Sequence, residues 1–291
     1  MNLAWVLRRF LAQQAQANLR DKMAQAVQEG VAPAVSAQSA PASPPPPCDV
    51  GIVFALSAES GGTEDLLAGA VTTKGQGFVA HAGALAGRQV VVVQAGVGRQ
   101  AATHGTQALI RGHKPAWVIS AGFAGGLRPE LRRGDIVMAD EILDISGRTL
   151  SIDLKAESDP RTGLHVGRIL TVDKIVHEPA EKAALGQKYE ALAVDMESWA
   201  VGEICRQDKV RFLSICVISD AVDDTLPEDL DRLIMQQTTA ARLGAAAGTL
   251  FRRPSSIKDM LRLREEALVA SDRLAKFLAG VVERLVPASD A

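Results

Sequence analysis

Leu3, Val6, Leu7 and Phe10 fall at i, i+3, i+4 and i+7, the spacing of one helix face, and Met23 and Val27 carry that face around the helix. Gly30 stops the pattern. Residues 1–30 are therefore expected as an amphipathic helix. Residues 31–47 turn to Ala, Ser and Pro and finish in four consecutive prolines, which predicts an extended linker. From Cys48 the pattern changes to short runs rich in Val and Ile at 49–56, 89–94, 116–120, 135–141 and 212–219, with helical periodicity at 101–111, 196–206 and 229–251. Continuous apolar strands alternating with helices imply a sheet covered on both faces. The expected fold is a three-layer α/β/α sandwich around a central mixed, mostly parallel sheet. Beyond Pro254, Ile257, Met260, Leu261, Leu268, Leu274, Phe277, Leu278, Val281, Val282 and Leu285 outline a second long amphipathic helix. The chain thus divides into a folded domain at 48–252, a helical extension at 253–291, and the N-terminal helix and linker.

Charge follows the same division. The net charge of −2 splits into +2 for 1–47, −6 for 48–251 and +2 for 252–291. With 23% charged residues, this net charge excludes a disordered acidic chain and gives no overall basic footprint for nucleic acid. Cys48, Cys205 and Cys216 are odd in number and widely spaced, which suggests neither a disulfide framework nor a zinc site. No apolar run approaches the ~20 residues that span a bilayer, and residues 1–9 lack the order of a signal peptide. A cytoplasmic protein is expected.

Two glycine-rich segments and three carboxylates are candidates for chemistry. Gly96-x-Gly98-x-x-Ala101 follows a Val-rich strand and opens a helix, as in a dinucleotide fingerprint. That fingerprint needs an acidic residue after the next strand. Here the place reads Ser120-Ala121-Gly122-Phe123-Ala124-Gly125-Gly126, which disfavours NAD. The run from Gly122 to Gly126 is either a tight turn or open backbone that a flat ligand can approach. Glu59, Glu197 and Asp220 each follow an apolar run. Singly, such residues complement helix N-termini or cap helices. Three at three strand ends, beside two glycine-rich segments, point to a cleft at the carboxyl edge of the sheet.

Taken in order, these segments resemble the nucleoside phosphorylase and nucleosidase superfamily, and within it the nucleosidases that cleave methylthioadenosine and S-adenosylhomocysteine. The likeness covers about 49–251: 51–59 looks like the first strand and its acidic residue, and Gln94-Ala95-Gly96-Val97-Gly98 like the Ser-Gly-x-Gly turn. The run 120–127 followed by Gly134-Asp135-Ile136-Val137 looks like the central glycine-rich strand end and its sequel. Val194-Asp195-Met196-Glu197 resembles the Val-Glu-Met-Glu motif, and Ser219-Asp220 the Ser-Asp motif. The resemblance implies that Asp220 protonates the departing purine with help from Ser219, and that Glu59 deprotonates the attacking water. It also implies that Glu197 binds the ribose hydroxyls and Met196 packs on the sugar. Gly96, Ala121, Gly122 and Ile175 complete the substrate-binding set, with no metal or organic cofactor.

An acid at the base and anionic groups near the ribose suit cleavage of an N-glycosidic bond. For Asp220 to hold a proton, burial or a neighbouring carboxylate such as Asp223 or Asp224 is expected. Phosphorylases of the superfamily place arginines where this chain has Ala55-Leu56-Ser57-Ala58-Glu59 and Val118-Ile119-Ser120, so water is favoured over phosphate. Cys216 stands where the methylthioadenosine-type enzymes have an arginine, and Ile175 where an aromatic residue stacks on the base. The wording Val-Asp-Met-Glu-Ser is similar to a hopanoid-associated branch that acts on a lipid-linked nucleoside. That likeness gives the N-terminal helix two readings: it rests on a membrane surface, or it packs on the C-terminal helix or a second subunit. The family also implies a homo-oligomer. Phosphorolysis, or a nucleoside-binding module without catalysis, are the other readings of the whole.

Overall fold

The computed structural model describes residues 46–227, Leu230 and 255–285. The N-terminal helix expected at 1–30, nearly all of the linker and the helix expected at 229–251 lie outside the described residues. The elements in chain order are β1 (Val50–Phe54), α1 (Ser57–Asp65), β2 (Ala68–Gly75), β3 (Phe78–Leu85), β4 (Arg88–Gln94), α2 (Arg99–His113) and β5 (Trp117–Gly126). Then come β6 (Ile136–Asp144), β7 (Thr149–Ser151), β8 (Leu164–Thr171), α3 (Pro179–Tyr189), β9 (Ala193–Asp195), α4 (Ser198–Gln207), β10 (Arg211–Asp220) and α5 (Ser255–Leu285).

The Val- and Ile-rich runs form the centre. β4, β1, β5 and β10 lie side by side and parallel. All five residues of β1 are buried, because both faces are covered. Alternation assigns the faces: Val50, Ile52 and Phe54 pack with Leu274, Leu278 and Val282 of α5, while Val53 packs with Ala102 and Leu109 of α2 and with Val201 of α4. The three layers expected from sequence are present. The helix beyond Pro254, expected as an extension, supplies one of those layers. Among the described residues no helix is long and apolar enough to cross a membrane.

Two features go beyond the expected sandwich. β2, β3 and β4 form an antiparallel meander at one edge, and every residue of β2 is exposed. At the other side the sheet closes on itself: β5 pairs β10, β10 pairs β6, β6 pairs β8, β8 pairs β9, and β9 returns to β5. Parallel pairing holds at the centre, and antiparallel pairing joins the meander and closes the barrel.

Closure splits the partners of β5 along one edge. Residues 117–120 pair with β1, while Gly125 and Gly126 pair with β9. Between them, residues 121–124 have left β1 and not yet met β9. A crevice at the carboxyl ends of strands, where neighbours diverge, is where open α/β sheets hold ligands.

Candidate active site

The run from Ala121 to Gly126 is strand rather than turn, continuing β5 along the whole length of β10. Its orphaned edge is completed by Glu59. In the first turn of α1, the Glu59 carboxylate accepts hydrogen bonds from the N–H of Ala55 (3.0 Å) and Leu56 (2.8 Å) through Oε2. Such reach-back satisfies donors that a helix start leaves open. Oε1 accepts from the N–H of Phe123 at 3.0 Å, the position where β5 has lost β1. Glycine permits this approach, since a Cβ on Gly122 would lie 2.9 Å from Oε1. Glu59 is 6% exposed, and burial pushes its carboxyl up to about 7 against the opposing pull of the three N–H groups.

Glu197 enters from another element. It stands at the start of α4 but does not cap it; Oε1 reaches across to accept the N–H of Gly98 at 2.6 Å. Burial, then the charges of Asp195 and Glu59, push Glu197 well above the usual carboxylate range. Asp195 does the capping, with Oδ2 accepting the N–H of Ser198 (3.1 Å) and Oδ1 the hydroxyl of Thr171 (2.7 Å). Met196, between Asp195 and Glu197 in sequence, is half-buried. Glu59, Glu197 and Asp195 line one cavity of about 10 Å³ with Ala121, Gly122 and Cys216, at the lower limit for one water. Its twelve lining residues include no Lys, Arg or His. Burial holds the Cys216 thiol well above its usual range, so that wall is uncharged.

Asp220 ends β10. A bulge between Ile218 and Asp220 shifts the register and sets Asp220 opposite Gly125, where a Cβ would lie 3.2 Å from Oδ2. The bulged Ser219 donates to Asp220 Oδ1 at 2.6 Å. Oδ2 accepts from Lys182 Nζ at 2.5 Å. The expected carboxylate neighbour is absent from this contact: Asp223 is exposed, and Asp224 turns Oδ2 to Arg133 (2.7 Å) and to the N–H of Ala221 (2.7 Å). The Arg133 hydrogen bond lowers the Asp224 pKa, as expected for a carboxylate drawn to a cation.

Glu59 and Asp220 therefore abut one strand at Gly122 and Gly125, about 10 Å apart along it, but Asp220 is not among the residues lining the cavity beside Glu59. Of the other expected residues, Gly96 donates its N–H to Ala55 O at 3.0 Å and so holds its turn against the end of β1. Ile175 is half-buried on the loop after β8 and is not among the residues lining the cavity. Sequence reasoning missed Lys182 and Arg99, and gave Asp195, though named in its motif, no role of its own. Arg99 binds Asp173 Oδ1 at 2.5 Å and Thr171 O at 3.4 Å, tying the glycine turn to the end of β8.

A family model described as Phosphorylase superfamily matches residues 50–252. The chain belongs to the phosphorylase superfamily. The superfamily match stops before α5, yet that helix fills one face of the core. Among its relatives, the 5'-methylthioadenosine/S-adenosylhomocysteine nucleosidase of Aeromonas salmonicida is 29% identical over 214 residues, covering 64% of this chain and 91% of that one. The enzyme of the same name from Tolumonas auensis is 28% identical over 210 residues, with the same coverage. Among solved structures, the 5'-methylthioadenosine/S-adenosylhomocysteine nucleosidase of Neisseria meningitidis, in complex with methylthio-immucillin-A, superposes with a TM-score of 0.58 at 21% identity. That match covers 80% of this chain and 99% of the other. The futalosine hydrolase of Helicobacter pylori gives a TM-score of 0.53 at 22% identity, over 67% of this chain and 95% of its own.

Proposed function

We propose that the protein hydrolyses the N-ribosidic bond of an adenosine-type, 5′-substituted nucleoside and releases the free base. The observation that carries this reading is the cavity beside Glu59: at the lower limit for one water, lined by three carboxylates and by no cationic side chain. A phosphate dianion needs positive partners, and carboxylates repel it. Relatives named as methylthioadenosine/S-adenosylhomocysteine nucleosidases support the same class of reaction.

In this mechanism Glu59 takes a proton from water, and the resulting oxygen nucleophile bonds to the anomeric carbon. The electron pair of the C–N bond passes to the purine, and Asp220 delivers its proton to the ring nitrogen. Glu197 faces the ribose hydroxyls, where hydrogen bonds that strengthen as the sugar gains positive charge lower the barrier. A general base whose carboxyl titrates near 7 is matched to work near neutral pH.

The test is adenine release from 5′-substituted adenosines in phosphate-free buffer. Release without phosphate is expected; turnover that appears only on adding phosphate would replace hydrolysis by phosphorolysis. Assembly into a homo-oligomer belongs to the same reading by family likeness, and light scattering that finds only monomer contradicts it.

A further inference from the structure

The cavity beside Glu59 brings together three carboxyl groups, Glu59, Asp195 and Glu197, with no Lys, Arg or His among its lining residues. Burial penalises the charge on each, and three anions around one small cavity repel one another, so the trio is relieved by keeping a proton. Hydrogen bonds decide which member keeps it, because donors aimed at a carboxylate favour the charged form. Glu59 accepts three N–H groups, from Ala55, Leu56 and Phe123. Asp195 accepts the Ser198 N–H and the Thr171 hydroxyl, and the Arg99 cation also favours its charge. Glu197 accepts the Gly98 N–H at 2.6 Å, with a weaker pull from the N–H of its neighbour Met196. It is the least compensated of the three. The mutual charges run the same way: Asp195 raises Glu59, and both raise Glu197. Cys216, the fourth titratable group of the lining, is a thiol held well above its usual range and brings no charge.

Resting on the reading of this cavity as the ribose end of a nucleosidase site, we infer that Glu197 keeps the trio's proton and meets the ribose as a neutral carboxylic acid, which leaves Glu59 as the working anion. A carboxylate only accepts hydrogen bonds, whereas a carboxylic acid also donates one through its O–H. Toward the neighbouring hydroxyls of a ribose, Glu197 then accepts from one and donates to the oxygen of the other. No proton leaves Glu197 during the reaction. Its neutrality acts on Glu59 as well. A further full charge on this cavity would hold Glu59 protonated to higher pH and take the base out of work near neutrality.

The test is carboxyl 13C NMR of glutamate-labelled protein, titrated over pH, on wild type, Glu197→Gln and Glu59→Gln. The signal lost in each variant assigns that residue, so either variant that folds identifies one member of the pair. In wild type the Glu197 signal is expected to stay at the position of the protonated acid while pH rises through the midpoint of Glu59 at about 7. Glutamine is as neutral as the acid it replaces, so in Glu197→Gln the Glu59 midpoint is expected to stay within about half a pH unit of wild type. A Glu197 signal already at the carboxylate position below the Glu59 midpoint overturns the inference, as does a larger fall of that midpoint in Glu197→Gln, the mark of a removed charge. An adenosine analogue with a carbon–carbon glycosidic bond, whose base cannot leave, is then added. Once bound, it is expected to shift the Glu197 signal without ionising it; an unmoved or ionised signal overturns the donor role. A wild type that neither binds this analogue nor releases base instead overturns the nucleosidase reading, and the titration still decides where the trio keeps its proton.

Discussion

Glu59 and Asp220, the two ends of the proposed site, are held in opposite ways. Glu59 is gripped by three neutral backbone N–H groups at the split edge of β5, and burial raises its carboxyl to about 7. Asp220 is gripped by a buried ammonium and a hydroxyl at the bulged end of β10. Backbone donors aim a carboxylate without bringing a full charge, so desolvation decides its protonation. A contacting cation instead favours the ionised form. Two residues of one chemical type thereby sit in opposite surroundings, one desolvated among neutral donors and one against a cation.

The comparison breaks most visibly at Asp220. Asp220→Asn keeps the shape but has no carboxyl proton to give, so kcat for base release should fall about a thousandfold or more while adenine binding stays within a few-fold. Normal turnover refutes the assigned acid. Glu59→Gln comes next, with an expected loss of about a hundredfold or more. Its NH₂ must also face backbone donors, since both oxygens of Glu59 accept. Gly122→Ala sharpens the geometric side: the added Cβ falls 2.9 Å from Glu59 Oε1, and the displaced carboxyl should cost about ten- to a hundredfold in kcat. An unaltered kcat means that the aim of Glu59 is unimportant.

The smallest effect on activity is expected at Ser271 of α5. Its hydroxyl donates to Glu59 O at 2.9 Å and accepts from Gly62 N at 2.9 Å, so α5 braces the turn that carries Glu59. Ser271→Ala leaves two buried backbone groups without that partner. It should lower unfolding free energy by about 1–3 kcal/mol in denaturant titration and reduce kcat less than tenfold.

The same contrast explains what could be read in the chain. β1, β4, β5, β6 and β10 announce themselves as Val and Ile runs because they are buried. β2 does not, being an exposed edge of small and polar residues. β8 is masked by His165 and Arg168, which pair with Asp135 and Glu141. Three short segments, β7, β9 and α1, carry too little periodicity to stand out. In the site, Glu59, Glu197 and Asp220 were legible because a carboxylate after an apolar run is conspicuous. Lys182 was not, since a lysine among alanines looks like a solvated face. Its helical neighbours Leu185, Gly186 and Tyr189, at i+3, i+4 and i+7, mark the inward stripe it shares. Barrel closure was invisible for a different reason, because pairing between β9 and β5 is set by distant strands rather than by local pattern.

The most direct test of the division of labour is the pH dependence of kcat/KM for base release. Glu59 must be ionised to accept a proton from water, and its carboxyl titrates at about 7. Below that pH the rate should fall about tenfold per unit, and above it the acid limb should level off; the limb should vanish in Glu59→Gln. A wild-type profile that is flat from about pH 5 to 8, or one whose acid limb survives in Glu59→Gln, contradicts the assignment of Glu59 as the base.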